Sequence, residues 1–154
     1  MKIFITLLVL LLSSGVHATT KDELVALVER YYVLEAEENY RAVSKLFKPG
    51  AEVSYSLDFG MLMPDYNFEF IVNNAASFDV LTEGEEQDDS EISNIQWDIA
   101  DAEISADSGK VVVKLSWDYK SSDGDGSVKA EDTFNFTIVD GKTLINSYHS
   151  EQEY

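Results

Sequence analysis

The amino-acid sequence predicts an α+β domain in which three N-terminal helices pack on one face of a strongly curved antiparallel sheet. Between Thr20 and Phe47, apolar residues recur every three or four positions, which is the period of an α-helix. From Ile92 onward they recur at every second position, which is the period of a β-strand. The predicted order is helix, helix, strand, helix and then a four-stranded antiparallel meander.

The predicted helices have recognisable ends. Thr20-Lys21-Asp22-Glu23 is a capping box, so a helix is expected from about residue 20 to about residue 37. A second, shorter helix begins at Asn39 and is stopped by Pro49-Gly50. Pro64 can begin a third helix, because N–H groups in the first turn make no hydrogen bond within the helix and the missing N–H of proline therefore costs nothing there. The apolar stripe of that third helix is Phe68, Ile71, Val72 and Ala75.

The predicted strands are marked by alternation and by turn residues between them. The first is a half-buried strand over residues 53–59. After Ile92, turn signals at 107–109, at 121–127 and at Asp140-Gly141 separate four strands, the last of them over 143–150. The segment 83–91 holds six acidic residues in nine positions and is interpreted as a solvated loop. Loose binding of calcium or of a cationic partner is the alternative.

The composition limits what the protein can bind. The 154 residues carry 11 Lys and Arg against 29 Asp and Glu, a formal net charge of −18. This field repels phosphates, so nucleic acid and anionic membrane surfaces are poor partners. The chain has no cysteine and therefore no disulfide, thiolate metal site or thiol nucleophile. No cofactor and no metal site is expected.

Residues 1–18 are typical of a secretory signal peptide. Lys2 precedes an apolar run from Ile3 to Leu12, and small residues lead to Ala18. The run is about half of the roughly 20 residues that a transmembrane helix needs. Cleavage is expected after Ala18, which leaves one domain over residues 19–154, periplasmic or secreted and not inserted in a membrane.

Two stretches of the chain carry a resemblance to a known superfamily. Arg30-Tyr31-Tyr32, then Asn39, then the run 42–47 and Ala51-Glu52-Val53 are similar to the two-helix opening of nuclear transport factor 2-like proteins. The run 140–145 followed by His149-Ser150 resembles their terminal strand. Asn39 replaces the usual aspartate between the helices, and Thr143 stands where tryptophan is common. The superfamily includes SnoaL-like and ketosteroid isomerase-like proteins, and its cone-shaped scaffold serves many functions.

The resemblance implies an apolar pocket enclosed by the helices and the concave face of the sheet. Flexible thioethers near its mouth would suit variable ligands, and Met61 and Met63 are the candidates. The alternative is that the inward residues only fill the core. The candidate lining residues are Tyr31, Tyr55, Leu57, Phe59, Trp97, Trp117, Tyr119, Phe134 and Phe136.

The comparison with ketosteroid isomerase-like enzymes tests for catalysis. Those enzymes pair a carboxylate base with a tyrosine and a protonated acid. Tyr31 falls at the tyrosine position and Asp132 near the second donor, but Tyr55 occupies the position of the base. An unperturbed tyrosine is a poor base at neutral pH. His149, expected on the inward face, is the other candidate, as a dyad with Asp132 of the kind dehydratases of the superfamily use.

Three hypotheses follow. The first is an exported, non-catalytic domain that binds a small apolar or amphipathic molecule in the cone. The second is a lyase or isomerase that uses His149 and Asp132, with Tyr31 or Tyr55 as an oriented donor. The third is an interaction module that forms a homodimer through the outer sheet face. The third is motivated by three residues expected to point outward, Val112, Leu144 and Tyr148.

Overall fold

The computed structural model describes residues 19–61, 63–82, 90–122 and 124–154. The predictions made for residues 1–18 and for the acidic segment 83–89 lie outside the described residues. The helical segments are α1 (Lys21–Ala36), α2 (Tyr40–Val43) with a 3₁₀ turn after it (Ser44–Leu46), and α3 (Asp79–Thr82) with a 3₁₀ turn before it (Ala75–Phe78). The strands are β1 (Phe47–Asp58), β2 (Tyr66–Val72), β3 (Glu91–Ile104), β4 (Ser108–Ser121), β5 (Gly124–Val139) and β6 (Lys142–Glu153).

The six strands form one sheet in the order β2-β1-β6-β5-β4-β3. The α+β class, the four-stranded meander and the long first helix are confirmed. The sheet is mixed rather than wholly antiparallel, because β1 pairs with β6 in parallel. Alternation along a strand identifies the strand but not its partner, so the pairing of two strands far apart in the chain was not available from the pattern.

The third helix begins later than predicted. Residues 66–72 form β2, an antiparallel partner of β1 in which Tyr55 lies opposite Phe68. The segment that suggested a helix from Pro64 also has the period of a strand. Its residues Tyr66, Phe68 and Phe70 alternate with polar side chains. The pairing with β1 supplies partners for the backbone of β2, and the helical turns follow after Asn74, which caps them.

The start of α1 is the predicted capping box. The Glu23 N–H donates to the Thr20 hydroxyl oxygen at 3.2 Å, and the Thr20 N–H donates to the Glu23 carboxylate at 2.7 Å. The helix then turns Leu24, Val28 and Tyr31 into the core at intervals of three and four residues. None of the described helices is long and apolar enough to cross a membrane.

The inner face of the sheet is formed as the alternation predicts. Trp97 pairs with Leu115 and Phe134 pairs with Val111, so these residues and Trp117 of β4 share one side of the sheet. The helix covers only part of that side. The inner positions near the start of β4 are buried, whereas Leu115, Trp117 and Tyr119 near its end are only partly buried. A concave, uncovered area is therefore left beyond the C-terminal end of α1.

A β-bulge reverses the predicted faces at the end of the chain. Asn135 pairs with Ser147 and Phe136 with Ile145, so Asn146 is an extra residue in β6. Up to Ile145 the odd-numbered residues of β6 point inward, as predicted. After Ile145 the even-numbered residues point inward instead. Tyr148 is consequently buried in the core, which corrects its predicted outward orientation, while Val112 and Leu144 stay on the outer face.

We expect Phe134→Ala to lower the free energy of unfolding by about 3–5 kcal/mol, because it empties the centre of the aromatic core. Phe134 is fully buried, and its ring lies 5.1 Å from that of Tyr31 and 4.7 Å from that of Tyr148. Urea denaturation measures the change. Val139→Ala, at an exposed position of the same strand, should change the value by less than about 0.5 kcal/mol. Equal losses in the two variants would contradict this packing.

Candidate functional site

The uncovered part of the inner face holds a cavity, here called the aromatic chamber. Its volume is about 440 Å³. The end of β1, the start of β3, the end of β4 and the C-terminal residue all contribute to its wall. Its lining residues are Phe59, Met63, Ser90, Ile92, Trp117, Tyr119 and Tyr154.

The rings of the aromatic chamber are held by specific contacts. The ring of Tyr154 lies 4.8 Å from that of Phe59 and 6.3 Å from that of Tyr119, with interplanar angles of 31° and 60°. The Tyr154 N–H donates to the carbonyl oxygen of Asp58 at 2.9 Å, and its hydroxyl donates to Gln152 at 3.0 Å. These hydrogen bonds fix the C-terminal residue as one wall of the chamber.

Tyr119 is positioned by a glycine on the neighbouring strand. Gly126 lies opposite Tyr119 in the register of β4 and β5. A Cβ at Gly126 would stand 2.6–2.7 Å from three atoms of the Tyr119 side chain, which is closer than carbon atoms pack. The phenol ring therefore occupies the space beside the β5 backbone at Gly126, and a larger residue there would displace the ring from this position.

The structure places only some of the predicted pocket residues at the chamber. Phe59, Met63, Trp117 and Tyr119 line the chamber. Trp97 shares their face but lies against Tyr32 of α1, 6.2 Å between ring centroids, and is 45% exposed. Met61 is exposed, and Leu57 is partly buried against the core. The remaining members of the predicted lining are buried core residues: Tyr31, Tyr55, Phe134 and Phe136.

The sequence prediction missed Ser90, Ile92 and Tyr154 as lining residues. Ile92 pairs with Tyr119 across β3 and β4, so its position follows from the strand register. Tyr154 is the last residue of the chain and is brought to the chamber because β6 runs parallel to β1. That parallel pairing had no signal in the local pattern.

A second feature, the tyrosine–carboxyl cluster, lies between α1 and the sheet and comprises Tyr31, Tyr32, Glu35, Tyr55, Asp132 and Tyr148. Asp132 is 3% exposed, and its Oδ2 accepts hydrogen bonds from Tyr32 at 2.7 Å and Tyr148 at 2.9 Å. Its Oδ1 has no well-formed hydrogen bond within the described part of the chain. Burial raises the pKa of Asp132, and hydroxyl groups of Ser150, Tyr32 and Tyr148 act in the opposite direction.

Glu35 is a carboxyl group of this cluster that the sequence prediction did not include. It lies one helical turn after Tyr31, whose hydroxyl donates to Glu35 Oε1 at 3.1 Å. Burial raises the pKa of Glu35 to about 7, the hydrogen bond from Tyr31 lowers it, and the nearby Asp132 adds to the rise. The only sequence signal was its position on the helix, four residues after an inward tyrosine.

The tyrosines of the cluster are donors rather than bases. Burial is the largest cause of the raised pKa values of Tyr31, Tyr32, Tyr55 and Tyr148, so all four phenols stay protonated at neutral pH. Tyr55, at the position where ketosteroid isomerase-like enzymes hold a carboxylate base, therefore cannot accept a proton from a substrate in its ordinary state.

His149 does not join Asp132, which corrects the predicted dyad. Asp132 pairs with Ser150 on the inner face, whereas His149 pairs with Thr133 and Ser54 on the outer face. The side chain of His149 is 38% exposed; its Nδ1 lies 2.8 Å from the Ser54 hydroxyl and its Nε2 lies 3.4 Å from Glu151 Oε1. The bulge at Asn146 is the cause, because it reverses the faces of the residues that follow it.

Metal binding has no support in the described ranges. Within residues 19–61, 63–82, 90–122 and 124–154, no three His, Asp or Glu side chains are grouped so that they could hold an ion.

Comparison with known proteins identifies the fold. The chain matches no protein-family model and no curated protein. Among solved structures it is similar to ActVI-ORFA of Streptomyces coelicolor, at 12% identity over 85% of this chain and 95% of that one, with a TM-score of 0.57. It is also similar to a ketosteroid isomerase-like protein of Erwinia carotovora atroseptica, at 13% identity over 83% of this chain and 92% of that one, with a TM-score of 0.54.

A third solved structure shares the same architecture. It is a nuclear transport factor 2-like protein with a cystatin-like fold from Novosphingobium aromaticivorans, at 14% identity over 85% of this chain and 80% of that one, with a TM-score of 0.52. The chain therefore has the nuclear transport factor 2-like fold. At these identities the likeness extends to the fold and not to the activity.

The raised pKa of Glu35 predicts a stability that falls as pH rises. A folded-state pKa of about 7 against an ordinary 4.5 means that the folded chain binds the proton more tightly than the unfolded chain. Stability from this group is fully present below pH 4.5 and is lost by about pH 7. We expect the free energy of unfolding to fall by roughly 1–3 kcal/mol across this range, measured by urea denaturation at successive pH values.

The matched variants separate Glu35 from the general effect of the acidic chain. Glu35→Gln should reduce the slope of stability against pH, because the glutamine cannot titrate. Glu29→Gln removes the same charge at an exposed position of α1 and should retain the slope. If the two variants gave the same pH profile, Glu35 would not be the titrating group.

Proposed function

We propose that this protein binds a small apolar or amphipathic molecule in the aromatic chamber and does not transform it chemically. The observation that carries the proposal is the chamber itself, an aromatic-lined cavity on the part of the inner sheet face that α1 leaves uncovered. Nuclear transport factor 2-like folds form cones of this kind, and the fold supports a ligand-binding interpretation.

The size and chemistry of the chamber suit a small ligand. About 440 Å³ lies within the range of roughly 300–1,000 Å³ that ligand pockets occupy. The lining is mainly apolar and aromatic, with the hydroxyl groups of Ser90, Tyr119 and Tyr154 as polar atoms. The apolar part of an amphipathic molecule can cover the apolar side chains of the chamber, and its polar part can form hydrogen bonds with the hydroxyl groups.

The exposure of the rim supports the same proposal. Ile92 is 60% exposed, and Met63 and Tyr154 are also exposed. Apolar side chains grouped around a cavity cost free energy while they face water, and grouped exposure of this kind marks binding sites. A ligand that covers them recovers that free energy.

The arrangement of the acids argues against catalysis. Asp132 and Glu35 belong to the tyrosine–carboxyl cluster under α1 and are absent from the lining of the chamber. His149 lies on the other face of the sheet. Among the described residues that line the chamber, none has a carboxylate or imidazole side chain that could take a proton from a ligand.

A neutral fluorescent probe, N-phenyl-1-naphthylamine, tests the chamber directly. We expect saturable binding that Trp117→Ala weakens at least tenfold, because the variant removes the largest ring of the lining. Tyr154→Ala, at a half-exposed position, should weaken binding too and guards against misfolding of the first variant. Fluorescence titration gives the dissociation constants, and native mass spectrometry identifies any molecule that co-purifies.

The chain offers a matched control in its other tryptophan. Trp97 lies on the same face but outside the chamber, so Trp97→Ala should keep the dissociation constant within about twofold. Equal weakening by the two tryptophan variants, or failure of the wild-type protein to bind the probe, would refute the proposed chamber.

We further propose that the protein is exported and that its signal peptide is removed after Ala18. The support is the sequence pattern of residues 1–18. Expression of the full chain in a Gram-negative bacterium should yield periplasmic protein whose first residue is Thr19, as read by N-terminal sequencing. Leu8→Arg, which breaks the apolar run, should leave cytoplasmic protein that retains Met1 or Lys2. Cytoplasmic wild-type protein of full length would contradict export.

A further inference from the structure

We infer that the aromatic chamber selects a positively charged ligand, an organic ammonium group with apolar substituents that lies against the faces of the aromatic rings. The inference rests on the proposed function, because it uses the same chamber, and it narrows the ligand from any amphipathic molecule to an amphipathic cation.

The first observation is the concentration of aromatic rings. Four of the seven lining residues are aromatic: Phe59, Trp117, Tyr119 and Tyr154. The face of an aromatic ring carries partial negative charge and attracts a cation whose centre lies within about 6 Å of the ring centroid. The Phe59 and Tyr154 centroids are 4.8 Å apart and the Tyr119 and Tyr154 centroids are 6.3 Å apart, so these three rings contact one another, and a cation would meet only the ring surface that they leave open toward the chamber.

The second observation is the geometry of those rings. Tyr154 is tilted by 31° from Phe59 and by 60° from Tyr119, so the rings do not cover one another as parallel stacks do. Tyr119 rests with its ring against the backbone at Gly126, which holds its orientation.

The third observation is the charge around the chamber. The described residues that line it have no charged side chain, so an anionic ligand would find no Lys or Arg side chain there. The nearby acids Asp58 and Glu153 pair with each other across β1 and β6 on the outer face of the sheet, and Glu153 also lies opposite Lys129, so neither acid lines the chamber. Lys120 follows Tyr119 and lies opposite Glu91 and Asp125 in the strand register, which offsets its charge.

The whole chain adds to this local effect. A formal net charge of −18 gives the protein a negative potential that attracts cations and repels anions. This attraction is screened by salt, whereas contact with the rings inside the chamber is screened much less. The two contributions can therefore be separated by ionic strength.

Choline and 3,3-dimethylbutan-1-ol provide a matched pair of probes. Choline has a positively charged quaternary nitrogen at the position where 3,3-dimethylbutan-1-ol has a neutral quaternary carbon. We expect choline to bind at least tenfold more tightly than its neutral isostere, and to keep this preference at about 0.5 M salt. Trp97→Phe leaves Trp117 as the only tryptophan among the described residues, so its fluorescence reports on the chamber in the titration.

Variants of the rings decide whether the preference comes from the chamber. Tyr119→Phe keeps the ring and should retain most of the preference for choline, whereas Tyr119→Leu and Trp117→Leu should each reduce it at least fivefold. Since fluorescence cannot follow the Trp117 variant, isothermal titration calorimetry measures it. Trp97→Leu should leave the preference unchanged, because Trp97 lies outside the chamber.

The outcomes distinguish this inference from the proposed function. If the neutral isostere bound as tightly as choline, the cation preference would be wrong and the apolar chamber would stand. The cation preference would also be wrong if high salt abolished it while Trp117→Leu left it unaffected. If neither probe bound and N-phenyl-1-naphthylamine also failed to bind, both the inference and the proposed function would be overturned.

Discussion

A helix and a strand with the same number of residues differ more than twofold in length, and this mismatch creates the chamber. The 16 residues of α1 span about 24 Å at a rise of 1.5 Å per residue. The 14 residues of β4 span about 46 Å at 3.3 Å per residue. The helix can therefore bury the first half of the inner sheet face but not the second. Near the end of β4, the inward residues Trp117 and Tyr119 have no helix over them and line a cavity instead.

The boundary between the covered and uncovered halves is formed by polar groups. The tyrosine–carboxyl cluster lies where α1 ends, and its hydrogen bonds join the helix to β5 through Tyr32 and Asp132. A buried carboxyl group costs free energy unless it is protonated or well hydrogen-bonded, and both conditions are approached here through burial and phenol donors. The cluster thus fixes how α1 sits on the sheet, and the position of α1 fixes where the chamber begins.

The chamber and the net charge of the protein act together. Aromatic rings give the chamber an apolar surface with partly negative faces, and the acidic residues outside it set the sign of the surrounding potential. Neither feature requires a catalytic group, so both fit the binding function proposed above. Asp132 of β5 and Glu35 of α1 lie between the helix and the sheet, so these two carboxyl groups are separate from the lining of the chamber.

The amino-acid sequence by itself determined the features that depend on neighbouring residues. These are the capped helix α1, the four-stranded meander, and the common face of Trp97, Trp117 and Phe134, since helix caps and strand alternation are local properties. Local alternation placed Trp117 and Tyr119 on the inner face, and only the resemblance to the superfamily implied that this face lines a pocket.

Only the tertiary structure decided the features that depend on contacts between distant segments. The segment 66–72 is a strand because β1 lies beside it, and Tyr154 reaches the chamber because β6 runs parallel to β1. The extra residue Asn146 turned His149 to the outer face, and the packing of α1 on the sheet brought Glu35 close to Asp132. Pairing, bulges and helix packing are set by the free energy of the whole core, which no local pattern of residues contains.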